Sequence, residues 1–437
     1  MIPPAAVGIP WLPLASLFAG TGVLLVGIGL FFTALGMRAG LAEFSTAATG
    51  LVMSAYFAGF VVGTYVCPAL IRRAGHIRAF AAMASIASTT AIVHAMIVDP
   101  WVWGLLRLAT GVCVVGLYIV IESWLNTVAP NQYRGRIFSA YVALTLVAMG
   151  LGQFLVLAGD VLGFVPLGLV SILLSLALVP VALTRTREPR AVEAPRLGLR
   201  HLYAVSGIAT VGAFASGMLN GAFFGLGAVF AQRMGLSEPG IAAFVAATIF
   251  GGALLQWPLG IWSDRHDRRR VLLAACAGAT ALALAARLVA GMSPALLVVV
   301  AFFYGGLVFS LYGLSAALVN DRLRPGQVLE ATSGLLLLHG LGAAIGPALA
   351  GAVMSVLAPG SLLVYFALVL GSLLAFGQWR GPEIEVPVIW VVMNNGGHGM
   401  VMHGERIQFK GKFQTGKFRQ RLVRQRRRRL PPQCPRP

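Results

Sequence analysis

Eight side chains able to hold a polar solute or pass a proton stand inside otherwise apolar stretches. Arg107, Tyr118 and Glu122 share one stretch, while Gln153, Asn220, Gln256, Tyr312 and His339 are spread over five others. At 100° per helical residue, Arg107, Gly111, Tyr118 and Glu122 fall within about 60° of one another and form one polar-capable stripe. Arg107 and Glu122 are about 22 Å apart along it, so they do not pair directly. Arg107 has the chemistry of a substrate or proton-relay group, or of a snorkelling cation. Glu122 suits the same pathway, or a salt bridge with loop arginines. His339 titrates in the range that proton coupling needs, and it also suits a hydrogen bond between helices. Gln153, Asn220 and Gln256 could orient a polar solute or link helices. Tyr118 and Tyr312 are expected to line a cavity.

A second group of charges lies between apolar runs. The stretch GIWSDRHDRRR (Gly260–Arg270) holds six charged residues and His266. The corresponding CPALIRRAGHIR (Cys67–Arg78) keeps the arginines and lacks the aspartate. A carboxylate at Asp264 can accept hydrogen bonds from a helix N-terminus nearby, where the helix dipole favours negative charge. Arg265 and Arg269 can pair with acids at neighbouring helix ends, Asp321 foremost. Such contacts require the helix ends to be close, so they would act as a gate. Arg72, Arg73 and Arg78 are the first-half counterparts and are expected to lean on Glu122.

The elements that position these groups are membrane helices. The chain of 437 residues is 58% hydrophobic and 11% charged, against about a quarter charged in soluble proteins. Its mean hydropathy is +0.84. Repeated apolar runs reach the roughly 20 residues needed to cross a bilayer, and the ten-residue alternation of a membrane barrel is missing. Twelve helices are expected near 14–37, 44–71, 78–98, 101–127, 135–159, 161–184, 201–231, 239–262, 270–291, 294–319, 327–357 and 360–379. One set of loops carries seventeen arginines and the other only Arg38 and Arg233. That asymmetry places both termini in the cytoplasm. Trp101 and Trp103 open the fourth helix at the outer interface.

The halves repeat. A shift of 194 residues superposes Gly111 on Gly305, Tyr118 on Tyr312 and Asn126 on Asn320, and a shift of 193 puts Arg72 on Arg265. Six plus six spans in parallel is a layout of transporters that rock two bundles about a central site. The expected domains are a six-helix bundle over 1–184, a cytoplasmic linker over 185–200, a second bundle over 201–380 and a basic tail over 381–437. That tail has twelve Lys or Arg against three Glu, including every lysine of the chain. It reads as a disordered extension drawn to anionic headgroups.

These motifs resemble the major facilitator superfamily over roughly residues 14–380. In that family the loop between spans two and three, and its repeat between eight and nine, reads Gly-x-x-x-Asp-Arg-x-Gly-Arg-Arg/Lys. Gly260, Asp264, Arg265, Arg269 and Arg270 fit, with Asp267 at the usual Gly; in the first half Arg72, Gly75 and Arg78 remain, with Cys67 and Ile71 at the Gly and Asp. Arg107-Leu-Ala-Thr-Gly111 is similar to the Arg-x-x-x-Gly element of span four, and IESWLNTVAPNQYRGR (Ile121–Arg136) to a bacterial branch of the family. The family's antiporters carry Gly-Pro in span five; here GLGQFLVLAG (Gly150–Gly159) lacks the Pro, and GLGAAIGPALAG (Gly340–Gly351) in span eleven has it. Small residues at that spacing predict close helix approach.

The resemblance implies an all-α membrane protein with twelve helices in two bundles. Its expected activity is secondary transport of a small solute by alternating access, driven by the solute's own gradient or by protons, in the inner membrane. A transport-inactive sensor or scaffold of the same fold is the alternative, and a passive channel a second. No enzyme activity, cofactor or metal site is expected, since the four cysteines are scattered and no Gly-Lys-Ser/Thr phosphate loop occurs. Nor is nucleic-acid binding expected. The expected state is a monomer.

Overall fold

A computed structural model describes residues 11–379 apart from 131, 184–197, 324–326 and 359. The expected linker, the tail and loop residues such as Arg185, Arg324 and Arg380 therefore lie largely outside the described residues. Among the described residues there are helices and no strands. Twelve helices are long and apolar enough to cross a membrane. They are α1 (Trp11–Leu41), α2 (Thr46–Ala74), α3 (His76–Met96), α4 (Pro100–Val128), α5 (Arg134–Ala158), α6 (Val165–Leu183), α7 (Gly207–Arg233), α8 (Glu238–Arg265), α9 (Arg268–Val289), α10 (Pro294–Asn320), α11 (Val328–Val356) and α12 (Ser361–Trp379).

Two boundaries differ from the hydropathy reading. The seventh run breaks at Ser206, which closes a short helix Leu199–Val205 and caps α7, its hydroxyl accepting from the Ala209 amide. The fifth run narrows to a 3-10 helix over Gln153–Ala158. A local hydrogen bond from one serine is invisible to an average over apolar residues.

Matched caps start matched helices, which is the repeat in structural form. Ser45 caps α2 and Ser237 caps α8; Asp99 caps α4 and Ser293 caps α10, with Pro100 and Pro294 next in line. Side-chain oxygens there satisfy amides that the helix leaves open, and proline loses nothing at the first helical position. Close crossings repeat too. A Cβ on Gly111 would run into the Tyr56 carbonyl, and one on Gly305 into the Thr248 carbonyl. Backbones thus meet between α2 and α4 and again between α8 and α10. The small face of α11 behaves as its spacing predicts: Gly342 and Gly346 lie against the α7 backbone and Gly351 against α2.

The two copies of the charged loop turn by different means. Gly75 joins α2 to α3 at φ 84°, a left-handed conformation that glycine adopts at little cost, with no side-chain cap. In the second copy Asp267 accepts from the Arg270 amide at 2.9 Å and caps α9. The capping carboxylate is therefore Asp267 and not Asp264, whose place in the last turn of α8 sends it to a side chain instead. Asp267→Ala is expected to cost about 1 kcal/mol of thermal stability, and Asp267→Gly only a few tenths. Melting of the two variants in detergent checks the difference.

Candidate functional site

The helix ends that carry the arginine-rich loops define one side of the bundle, here called the basic side. A cavity of about 270 Å³ lies in the basic-side half, lined by Tyr118 and Glu122 of α4, by Tyr141, Val142, Thr145 and Leu146 of α5, and by Gln256 and Phe309 of α8 and α10. Both halves of the chain thus contribute walls. Glu122 stands exposed to this space, and Tyr141 donates its hydroxyl to Glu122 Oε1 at 3.3 Å. The expected salt bridge between Glu122 and Arg72, Arg73 or Arg78 is not formed; those three arginines are exposed to solvent.

Arg107 is not in that cavity. It is fully buried on the other half of α4, stacked against rings from two other helices: Tyr56 at 4.4 Å, Phe32 at 4.5 Å and Phe31 at 5.3 Å from the guanidinium carbon. Its Nε and Nη2 have no hydrogen-bond partner. The snorkelling alternative is thus excluded in this structure. From Tyr118 a run of rings crosses the middle of the molecule through Phe60, Tyr56 and Phe32 to Phe224 and Phe309. The step from Phe32 to Phe224, at 5.7 Å, joins the first six helices to the last six. Sequence reading missed this cage, because rings on α1 and α2 look like ordinary core.

The remaining candidates divide. Gln256 lines the cavity. Gln153 does not: it is buried, accepts from the Thr33 hydroxyl and donates to the Met149 carbonyl, linking α1 to α5. Asn220 is half-buried with its carbonyl oxygen unpaired. Ser216 donates its hydroxyl to the Ala213 carbonyl, so His339 Nδ1, 3.0 Å away, is the donor to it; the Tyr312 ring packs on the same imidazole. His339 thus makes the interhelical hydrogen bond that was its alternative reading, between α11 and α7.

The charged loop is organised around Arg268, which sequence reading passed over. Arg268 binds Asp264 at 2.9 Å and Asp321 at 2.6 Å, and donates to Ser263. Arg269 donates to the Gly377 carbonyl, and Arg265 is exposed. Asp264 and Asp321 are therefore brought together, but by Arg268 and not by the expected Arg265 or Arg269, and within the last six helices. These contacts tie α8, α9, α10 and α12 to one another and do not reach the first six.

Contacts between the two halves concentrate on the side opposite to the basic loops. A Cβ on Gly50 would meet the Pro347 carbonyl, and the Ala348 amide donates to Ser54 Oγ at 2.9 Å. Gln232 donates to the Met37 carbonyl at 3.2 Å and Arg233 to that of Phe44 at 3.0 Å. Arg38, the other arginine outside the basic loops, binds the carbonyls of Ala95, Val161 and Gly163. Both exceptions to the loop asymmetry thus secure backbone. Of the two tryptophans expected at that interface, Trp101 is exposed, whereas Trp103 is buried and donates to the Ile97 carbonyl at 2.7 Å.

Residues 208–387 match the sequence profile of the Major Facilitator Superfamily. An uncharacterized MFS-type transporter of Enterobacter sp. (strain 638) is 27% identical over 384 residues, which is 86% of this chain and 98% of that protein. Along most of its length the chain is similar to members of the major facilitator superfamily. A further MFS relative, the uncharacterized transporter YcaD of Salmonella typhimurium, is 26% identical over 78% of this chain and 89% of its own length. Among solved structures the MFS fold recurs in the nucleoside transporter NupG, with a TM-score of 0.69 and 16% identity over 84% of this chain and 98% of that one. It recurs in a bacterial homologue of the human lysosomal transporter Spinster, inward-facing and unoccupied, with a TM-score of 0.62 and 16% identity over 85% of this chain and 95% of that one. Together with the twelve apolar helices, these matches support a multi-pass bacterial membrane protein; the family they point to binds small molecules within the membrane and is not generally enzymatic.

Proposed function

We propose that this protein is a secondary active transporter that moves a small solute by alternating access, with the cavity at Glu122 as its solute site. The observation that carries this reading is the separation of cavity from seam. The cavity occupies the basic-side half, and the halves touch on the opposite side through Gly50, Ser54, Gln232 and Arg233. On the positive-inside rule the basic side faces the cytoplasm of a bacterial inner membrane, with both termini there. The structure then corresponds to an inward-open state. Residues 1–184 and 201–380 are the moving bodies, joined by the 185–200 linker. Loss of the Gly50–Pro347 seam and closure over Glu122 would give the outward-open state. Arg72, Arg73 and Arg78 would then approach the acids Asp264 and Asp321 from the first bundle, with Arg265 and Arg269 beside them. Protons are the proposed coupling ion, taken up and released by Glu122 at the cavity. Tyr118, Tyr312, Gln256 and Asn220 line the route of the solute.

Thiol labelling in sealed vesicles tests this, with the four native cysteines replaced by serine. A membrane-impermeant maleimide is expected to modify Thr145→Cys from the cytoplasmic side and Ser54→Cys from the other. A carried solute should raise one reactivity as it lowers the other. Labelling of both sites from one side, or no solute at which they move oppositely, overturns alternating access.

A further inference from the structure

The cavity says which charge its occupant carries. Among the described residues no arginine or histidine forms an ion pair with Glu122; its one side-chain partner is the Tyr141 hydroxyl, a neutral donor. A carboxylate in a membrane helix without a counter-charge is costly, by up to roughly 2.5–3.5 kcal/mol at the helix centre on insertion scales. A ligand that brings a positive charge offsets that cost on binding, whereas an anion adds to it. The walls favour the same sign. Tyr118, Tyr141 and Phe309 border the cavity with Glu122, and aromatic faces attract ammonium groups within about 6 Å. Val142 and Leu146 make the rest of the surface apolar, and Gln256 is the polar group supplied from the second half. The volume of about 270 Å³ is close to the lower end of small-molecule sites, roughly 300–1,000 Å³.

The loop arginines do not cancel this preference. Arg72, Arg73, Arg78, Arg134 and Arg136 are exposed on the basic side, where salt screens charges beyond a Debye length of about 8 Å. Arg107, the other cation of α4, points its guanidinium into Phe31, Phe32 and Tyr56 and is absent from the cavity wall.

We propose that the occupant is a small organic cation, a protonated or quaternary amine with an aromatic or apolar body, whose positive end sits on Glu122 among Tyr118, Tyr141 and Phe309. The inference rests on the solute-site reading above and sharpens it to a chemical class.

The test uses four probes with one phenyl body: 2-phenylethylamine, its trimethylammonium derivative, 2-phenylethanol and 3-phenylpropionate. Each is titrated into purified full-length protein, with binding read by thermal shift and by equilibrium dialysis. Both cations are expected to bind at least about tenfold tighter than the alcohol, equivalent to about 1.4 kcal/mol, and the carboxylate weakest. The quaternary probe is charged at every pH, so its rank does not depend on its own protonation. Glu122→Gln should abolish the preference, and Glu122→Asp, which keeps the charge, should retain it. Equal affinities, no binding of either cation, tighter binding of the carboxylate or a preference that survives in Glu122→Gln overturns the proposal. Opposed labelling of Thr145→Cys and Ser54→Cys with no cation preference removes the substrate class and leaves alternating access. Cation preference without opposed labelling does the reverse.

Discussion

Arg107→Met is expected to lower transport at least about tenfold while leaving the melting temperature unchanged or raised. Arg107 lies wholly inside the protein, meets only the faces of Phe31, Phe32 and Tyr56 with its guanidinium, and leaves Nε and Nη2 unbonded. Cation–π attraction contributes about 2 kcal/mol or more when desolvated, set against a desolvation penalty of several kcal/mol for a buried ion whose remaining donors are unbonded. A flexible apolar side chain of comparable reach removes that cost, and replacements of buried charge by apolar groups are often neutral or stabilising. A charge kept against its own folding energy points to use in the cycle. Its place supports that, since it stacks on Phe32, which touches Phe224 across the seam. Arg107→Lys should fail differently. An ammonium is more strongly hydrated and cannot stack as a plane, so this variant should melt lower than both the parent and Arg107→Met. Counterflow in proteoliposomes with a solute that the parent carries, measured beside thermal melts, separates the two. Parental flux in Arg107→Met would reduce Arg107 to a packing residue.

What could be read from residues alone follows from where each signal is stored. Hydropathy and loop charge are averages over many positions, so twelve spans and the weighting of arginine to one side survive errors at any single residue. The repeat is legible for the same reason: Gly111 and Gly305 occupy matching crossings because the same backbone approach recurs. Single contacts are another matter. Arg265, Arg268, Arg269 and Arg270 are equivalent as letters, and only the angle between α8 and α9 decides that Arg268 reaches Asp264 and Asp321. Gln153 and Gln256 are both amides in apolar helices. A hydrogen bond to Thr33 places the first between α1 and α5, while the second faces the cavity. The cage around Arg107 draws on α1 and α2, between 51 and 76 positions away in the chain, where no periodicity distinguishes a ring that holds a cation from one that fills a core.

Gly50→Val is expected to shift the conformational balance about 5- to 150-fold toward the state open on the side opposite to the basic loops. The reason lies in what each glycine touches. At Gly111 an added side chain meets the Tyr56 carbonyl, and at Gly217 that of His339, both within one six-helix group. Relief there requires helices of the same bundle to separate, so Gly111→Val should melt early in either state. At Gly50 the obstacle is the Pro347 carbonyl, on a helix of the other group. Rocking the two bodies apart at that seam relieves it without unpacking either bundle. Overpacking costs typically 1–3 kcal/mol, and a cost confined to one state becomes a coupling of that size between conformations. Ser54 lies one turn along α2 and accepts from the Ala348 amide across the same seam. In the Gly50→Val background Ser54→Cys should react faster with maleimide from the opposite side and Thr145→Cys slower from the basic side. Unchanged reactivity at both positions, or a fall in stability as large as that of Gly111→Val, would mean that the α2–α11 contact is fixed core and not the seam at which the halves part.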